Sequence, residues 1–350
     1  SLRGQHSSNS KMNINLCKPN DLPSWDDYVN LHPDATFFHL SGWQRVLETA
    51  LHHNTYYLIA RTNDVVVGVL PMVHIKSLLF GNSLSSIAFG SYGGALADTP
   101  VIQRKLETRA VALGRELSVG NIEFRYKNST GLERPKKDLY ERFVKPILPD
   151  EEQNMQAIRS KQRNVIRKGI KKGLALKLDT CDAFYDVYAE SVRNLGTPVF
   201  PKALFESMLE VVPDHLEIVT AHLEGEPVSS ALLYYYKDEV CPYYWGGKYI
   251  ARSLAGNDYL AWQIICRAAE RGITRFDFGR SKKDTGSRQW KINLGFEPEQ
   301  LHYEYELIRD KEMPDINPLN PKYKMFVDTW KKLPLPIAGA IGPLISKNLG

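Results

Sequence analysis

The chain has 350 residues, 43% of them hydrophobic, with 45 lysines and arginines against 40 aspartates and glutamates. That is ordinary globular composition, enough for two domains of roughly 100 to 200 residues with adequate cores, and a charge of +5 is too mild to declare a nucleic-acid binder. Four scattered cysteines, Cys17, Cys181, Cys241 and Cys266, lack C-x-x-C spacing, which argues against a zinc centre or a disulfide framework and makes a reducing cytoplasm the simplest setting.

In chain order, residues 1–12 read as an expression remnant ahead of a native start at Met12, and NINLCKPNDLP after it lacks the apolar run of a signal peptide. A helix over SGWQRVLETALHH precedes YYLIARTNDVVVGVLPMVHI, whose alternation on both sides of Asn63-Asp64 predicts a β-hairpin. A strand carrying Gly93-Gly94 in FGSYGGALAD, a helix from about Pro100 to Val119 and the strand NIEFRYK complete a first domain over 13–150. A basic helix, RSKQRNVIRKGIKKG, opens the second domain, 151–310. Its Arg163, Arg167 and Lys171 recur at four-residue spacing, a cationic stripe suited to the phosphates of a nucleotide-linked acceptor or of tRNA, or else an exposed solvated face.

Helices over AFYDVYAESVRNL and KALFESMLEVV follow, with a polar loop of Arg193, Asn194 and Thr197 between them. LEIVTAHLEGEPVSSALLYYY predicts a second hairpin about Glu224-Gly225, and then come CPYYWGGKYIAR, a helix from about Gly256 to Arg271, and the strand TRFDFGR. The order repeats that of the first domain, with Gly93-Gly94 aligned to Gly246-Gly247, which predicts an internal duplication. The tail, 311–350, contains LPLPIAGAIGPLI from Leu333, too short to span a bilayer and interrupted by prolines. With WKK before it and Lys347 after it, this stretch either packs on the domain or makes a peripheral contact with membrane or a partner.

Asp-Phe-Gly within TRFDFGR is the tripeptide by which protein kinases hold magnesium, but the chain has no G-x-G-x-x-G and no His-Arg-Asp before it. H-E-x-x-H and G-x-S-x-G are absent as well, so neither a metal site nor a serine hydrolase is indicated.

A hairpin feeding a strand, a helix and another strand is the order of the GNAT acyltransferase fold. Residues 13–310 resemble the Fem-type transferases, and most nearly the FemAB-related proteins that accompany exosortase and PEP-CTERM systems. The motifs that carry this are YGGALAD, KQRNVIRKGIKKGL, SVRNLGTPVF, YYWGGKYIAR, ERGITRFDFGRSKKDTG and WKINLGF. The resemblance implies an α/β protein of tandem GNAT-like domains with mixed sheets. It also implies a cytoplasmic N-acyltransferase, free or membrane-associated, acting on the amine of a small-molecule or nucleotide-linked acceptor of the cell envelope or of exopolysaccharide synthesis. The donor it implies is aminoacyl-tRNA or acyl-CoA, with no tightly bound cofactor and no metal expected. An acyl-carrier-protein thioester as donor, and a non-catalytic assembly module of an exopolysaccharide system, are the alternatives.

Acyl transfer to an amine needs a site for donor phosphates, a stabiliser for the oxyanion and a base. RSLAGN places Arg252 and Asn257 before a helix N-terminus as candidate phosphate ligands, although Ala255 and Asn257 depart from the R-x-x-G-x-G/A pattern; a helix cap by Asn257 or Asp258 competes with that role. Lys291 in WKINLGF matches the lysine that the resemblance places near the acyl carbonyl, with Gly295 closing the helix. Asp277 is expected to face the cleft as base, opposite Phe276 and Phe278, or instead to hold Arg280 or a backbone amide. Tyr244, Trp245, Gly246, Gly247, Gly279, Arg280 and Tyr303 are the expected pocket residues, and Arg193 and Asn194 fall on the acceptor side through the resemblance alone.

Overall fold

The computed structural model describes residues 11–78, 80–314 and 321–350, so residues 1–10 of the expected remnant lie outside it. The chain opens with β1 (Met12–Leu16), α1 (Leu22–Leu31) and α2 (Ser41–Ala50), then the hairpin of β2 (Asn54–Thr62) and β3 (Val65–Ser77). Asn63 and Asp64, with φ of 49° and 64°, form the two-residue left-handed turn that the twist of a hairpin favours. β4 (Gly81–Ser86), β5 (Leu96–Ala97), α3 (Pro100–Glu116), β6 (Asn121–Tyr126), β7 (Lys136–Lys137) and β8 (Tyr140–Pro146) follow.

The second half begins with α4 (Glu151–Gln156), α5 (Ser160–Lys171), β9 (Ala175–Leu178), α6 (Cys181–Leu195) and α7 (Lys202–Val211). Its hairpin, β10 (Leu216–Leu223) and β11 (Glu226–Tyr236), turns through Glu224 and Gly225 at φ 51° and 86°, as in the first half. Next come β12 (Glu239–Gly247), the single-turn α8 (Ala251–Leu254), α9 (Gly256–Glu270), β13 (Arg275–Lys282), α10 (Gly286–Asn293), β14 (Glu297–Gln300) and β15 (His302–Leu307). The tail forms α11 (Pro321–Trp330) and α12 (Leu335–Ser346).

These strands make two sheets of the same plan. One runs β1-β2-β3-β4-β6-β15-β7, with β5 extending the pairing on β3, and the other β9-β10-β11-β12-β13-β8-β14. Among the described residues each has one parallel pair, β4 with β6 and β12 with β13, bridged by α3 and α9, because a parallel neighbour needs a crossover. The expected duplication is therefore present. The two halves also exchange a strand: β8, from the first half, lies between β13 and β14, while β15, from the second, lies between β6 and β7. A cut at residue 150 would leave each sheet without the interior strand next to one edge.

One alignment needs correction. Gly68, fourth in β3, pairs with Ala97, and Ser229, fourth in β11, pairs with Gly247. Leu96–Ala97, not Gly93–Gly94, thus occupy the place of Gly246–Gly247. Residues 87–95 leave the sheet as an excursion in which Ile87 and Phe89 take positive φ, and the repeated Tyr/Trp-Gly-Gly lettering does not reveal that insertion.

Between the sheets, α1 and α2 meet α6 and α7. Trp25, Phe37, Phe38 and Trp43 of the first half share one core with Phe184, Phe205 and Tyr234 of the second. Phe37 stacks on Tyr234 at 4.7 Å between ring centroids. Separate cores lie under α3, around Leu106, Leu113 and Phe124, and under α9, around Leu260, Ile265 and Phe276.

Candidate active site

β12 and β13 pair only through Glu239–Arg275 and Val240–Phe276, after which they part. Each carries an irregularity where they diverge. On β12 the register shifts about Tyr243, beside Pro242, which has no N–H to give the ladder. On β13 three steps, Asp277 to Arg280, oppose two on β8, so one extra residue is extruded as a β-bulge. The splay opens a cavity of about 400 Å³ walled by Tyr243, Tyr244 and Trp245 on one side and by Phe278, Gly279 and Arg280 on the other.

Asp-Phe-Gly is that bulge. Gly279, at φ +70°, supplies the left-handed residue. Asp277 accepts a hydrogen bond from the Gly279 amide at 2.8 Å and another from the Tyr92 hydroxyl, and its carboxylate lies 3.6 Å from Arg142. It is fully buried and does not line the cavity. The expectation that Asp277 faces the cleft is not met: strand alternation turns Phe278 to the cavity and Asp277 to the first half. Its competing role, holding a backbone amide, is the observed one, with Arg142 rather than Arg280 as its cationic partner.

Lys291 lies where the bulge directs its carbonyls. α10 starts at the Thr285 cap, whose hydroxyl accepts from the Arg288 amide, and carries Ser287, Trp290 and Lys291 to the cavity. The Lys291 ammonium, 5% exposed as a residue, donates to the Phe278 carbonyl at 2.9 Å and to that of Arg280 at 3.3 Å, with one of its three donors left over. It also lies 5.0 Å from the Phe278 ring centroid. Desolvation lowers its pKa to about 8, opposed by the charge of Asp277.

Arg280 is held by the Tyr303 hydroxyl at 2.6 Å and stacks over Tyr140 at 4.4 Å. Tyr303, expected in the lining, is instead fully buried behind Arg280 on the exchanged strand β15, and its hydroxyl donates to the Ser91 carbonyl. Ser91 itself lines the cavity, so the first half supplies part of the wall. Tyr243 is tied to the same excursion by a bond from its hydroxyl to the Phe89 carbonyl at 2.6 Å. Two cations, Lys291 and Arg280, and no carboxylate or imidazole line the cavity among the described residues. Tyr244 contributes a buried hydroxyl with no hydrogen-bond partner among them.

The remaining candidates do not join this lining. Asn257 accepts on Oδ1 from Trp245 Nε1 and from Ser229 Oγ, both at 2.9 Å, so its carboxamide oxygen fixes a cavity wall. Neither it nor Asp258 caps α9, whose N-cap is Ala255 in left-handed conformation. Asp258 joins three helices by accepting from Gln162 of α5 and Trp290 of α10. Arg252 is exposed on α8; Arg167 and Lys171 are exposed on α5, while Arg163 donates to the carbonyls of Gln156 and Ile158. Arg193 donates to the Lys331 carbonyl in the tail, and Asn194 is half-buried on the same helix end. Gly246 and Gly247 serve packing: a Cβ on the first would meet the Tyr188 backbone at 2.8 Å, and on the second the Asn257 side chain at 2.6 Å.

Residues 160–291 match the family model described as an acetyltransferase (GNAT) domain. The second half carries a GNAT domain. No curated protein matches the sequence. Among solved structures, FemX superposes with a TM-score of 0.66 at 13% identity, over 90% of this chain and all (100%) of its own. A tandem GNAT protein from the clavulanic acid biosynthesis pathway gives 0.55 at 13%, over 84% and 97%. L-PGS from Bacillus licheniformis gives 0.55 at 12%, over 90% and 97%. At these identities the likeness is one of fold, and with the repeated sheets it makes the architecture two tandem GNAT-like domains.

Proposed function

We propose that the protein is an N-acyltransferase that moves an aminoacyl or acyl group from an activated ester or thioester to the amine of a cell-envelope or exopolysaccharide-related acceptor, with the chemistry in the β12/β13 cavity. The observation that carries this is Lys291, a desolvated ammonium held by two bulge carbonyls at the point where the strands part. The unpaired strand edges beside it offer backbone donors and acceptors to an extended substrate, and Lys291 offers its remaining N–H to the oxygen of a tetrahedral intermediate.

In this mechanism the amine nitrogen bonds to the acyl carbon, charge collects on the acyl oxygen near Lys291, and collapse breaks the bond to the leaving oxygen or sulfur. The leaving atom takes up a proton. The amine's proton passes to water in the open cavity, because Asp277 is sealed behind the bulge. Arg280 and Lys291 give the cavity a positive balance that favours an anionic donor.

An aminoacyl ester is the preferred donor. A CoA pyrophosphate would need the first turn of α9, where the Asp258 carboxylate stands. Native mass spectrometry with a pool of charged tRNAs and CoA thioesters tests the choice: retention of a charged tRNA supports the aminoacyl route, retention of a thioester replaces it with the CoA route, and retention of neither favours a non-catalytic assembly role.

A further inference from the structure

We propose that α12 is an in-plane docking helix by which the protein binds an anionic lipid surface. Leu333 to Ser346 contains no charged residue, yet the helix buries only a narrow stripe of small side chains, Ala338, Gly342 and Ser346. The stripe lies against the 196–200 loop: a Cβ on Gly342 would meet the Val199 backbone at 2.9 Å, and Ser346 Oγ donates to the Val199 carbonyl at 2.8 Å. On the opposite face Ile337, Ile341 and Leu344 are 45%, 41% and 65% exposed. Twelve residues make a helix of about 18 Å, well short of a hydrocarbon core of about 30 Å, and no helix among the described residues is long and apolar enough to cross a membrane. With one face covered by the protein and an apolar face turned outward, the helix is placed to lie in the interface plane.

Charge selects the partner. Lys331 and Lys332 precede the helix and Lys347 follows it, and in residues 321–350 five lysines stand against one acid, Asp328. In a two-fold pairing of the same face between two copies, antiparallel helices would bring Lys331 and Lys332 of one against Lys347 of the other, which repel. An anionic lipid surface attracts both ends at once. The opposite, buried stripe of the helix leads toward the cavity, since Val199, on which it packs, precedes Phe200, a cavity-wall residue whose ring lies 5.9 Å from that of Phe89.

The test is co-sedimentation of the full chain with phosphatidylcholine vesicles, with and without phosphatidylglycerol. We expect binding to the anionic vesicles, weakened by salt, and a loss of about tenfold or more in Ile341→Asp/Leu344→Asp and in Lys331→Glu/Lys332→Glu. Because Ile341 and Leu344 are exposed, thermal unfolding of the first variant should match that of the parent. Failure of the parent to bind at low salt, or undiminished binding by the Asp variant, overturns the proposal. So does a dimer in sedimentation equilibrium that the Asp variant dissociates, which would assign the face to a second copy. Vesicle binding requires no acyl donor, so its failure and the failure of the acyltransferase function are separately visible.

Discussion

At the scale of single residues, Lys291 and Tyr244 separate two kinds of burial. Lys291→Met should lower kcat by about 10²- to 10³-fold, the effect of losing one oxyanion donor, while donor affinity changes little. Since the charged form donates, activity should fall as pH rises through about 8, and any residual activity of Lys291→Met should lack that limb. A rate that instead rises through this range would make Lys291 a base. The folded pKa of about 8 lies below the ordinary 10.5, so the unfolded chain binds the extra proton between these values and this group's stability contribution increases with pH across that window. Tyr244 carries a buried hydroxyl without a partner, so Tyr244→Phe should raise the free protein's stability by about 1 kcal/mol while weakening ligand binding, measured by urea unfolding beside donor titration. If the variant is destabilised, that hydroxyl is already satisfied in the free protein. The family resemblance pointed to Lys291 and strand reading to Tyr244 and Trp245, and all three line the cavity; Asp277 was expected there and is not, because a bulge, invisible in the lettering, sets which side chain faces the cleft.

Among the elements, the bulge in β13 is the piece that turns a sheet into a site. With Asp277 pinning the Gly279 amide and Lys291 the Phe278 and Arg280 carbonyls, Asp277→Asn should act by loosening this geometry, since it removes the charge facing Arg142. We expect a stability loss of about 1–3 kcal/mol, an increase in KM and an alkaline limb displaced to lower pH, because the charge that raises the Lys291 pKa is gone. A profile that loses an acidic limb would restore Asp277 as the base. The hairpins, α3, α9 and the order of each half were legible, because a left-handed two-residue turn and helical periodicity are local properties. The excursion over 87–95 was not, because Ser91 and Tyr92 gain their meaning only from contacts with Tyr303 and Asp277, far along the chain. The stripe of Arg167 and Lys171 was legible as a stripe, but spacing alone does not say which way a helix faces, and α5 turns these cations to solvent.

For the molecule as a whole, strand exchange makes each half depend on the other. Residues 151–350 alone would lack β8, which pairs with both β13 and β14, contributes the fully buried Phe143, and sends Lys145 to the Leu294 carbonyl at 3.0 Å. Extending that fragment back to Tyr140 restores the strand but still strips Phe37, Phe38 and Trp43 from Phe184, Phe205 and Tyr234, at about 1.5–3 kcal/mol for each large apolar side chain uncovered. The loss of several such contacts exceeds the margin of about 5–15 kcal/mol by which domains are usually stable. Neither fragment should therefore show a cooperative thermal transition by circular dichroism, whereas the full chain in urea should give coincident curves by circular dichroism and tryptophan fluorescence. A fragment that folds cooperatively by itself would mean that the shared core is an interface between finished domains. In that case Ser91 would reach the cavity wall by docking, and its substitution would alter activity without altering the stability of either half.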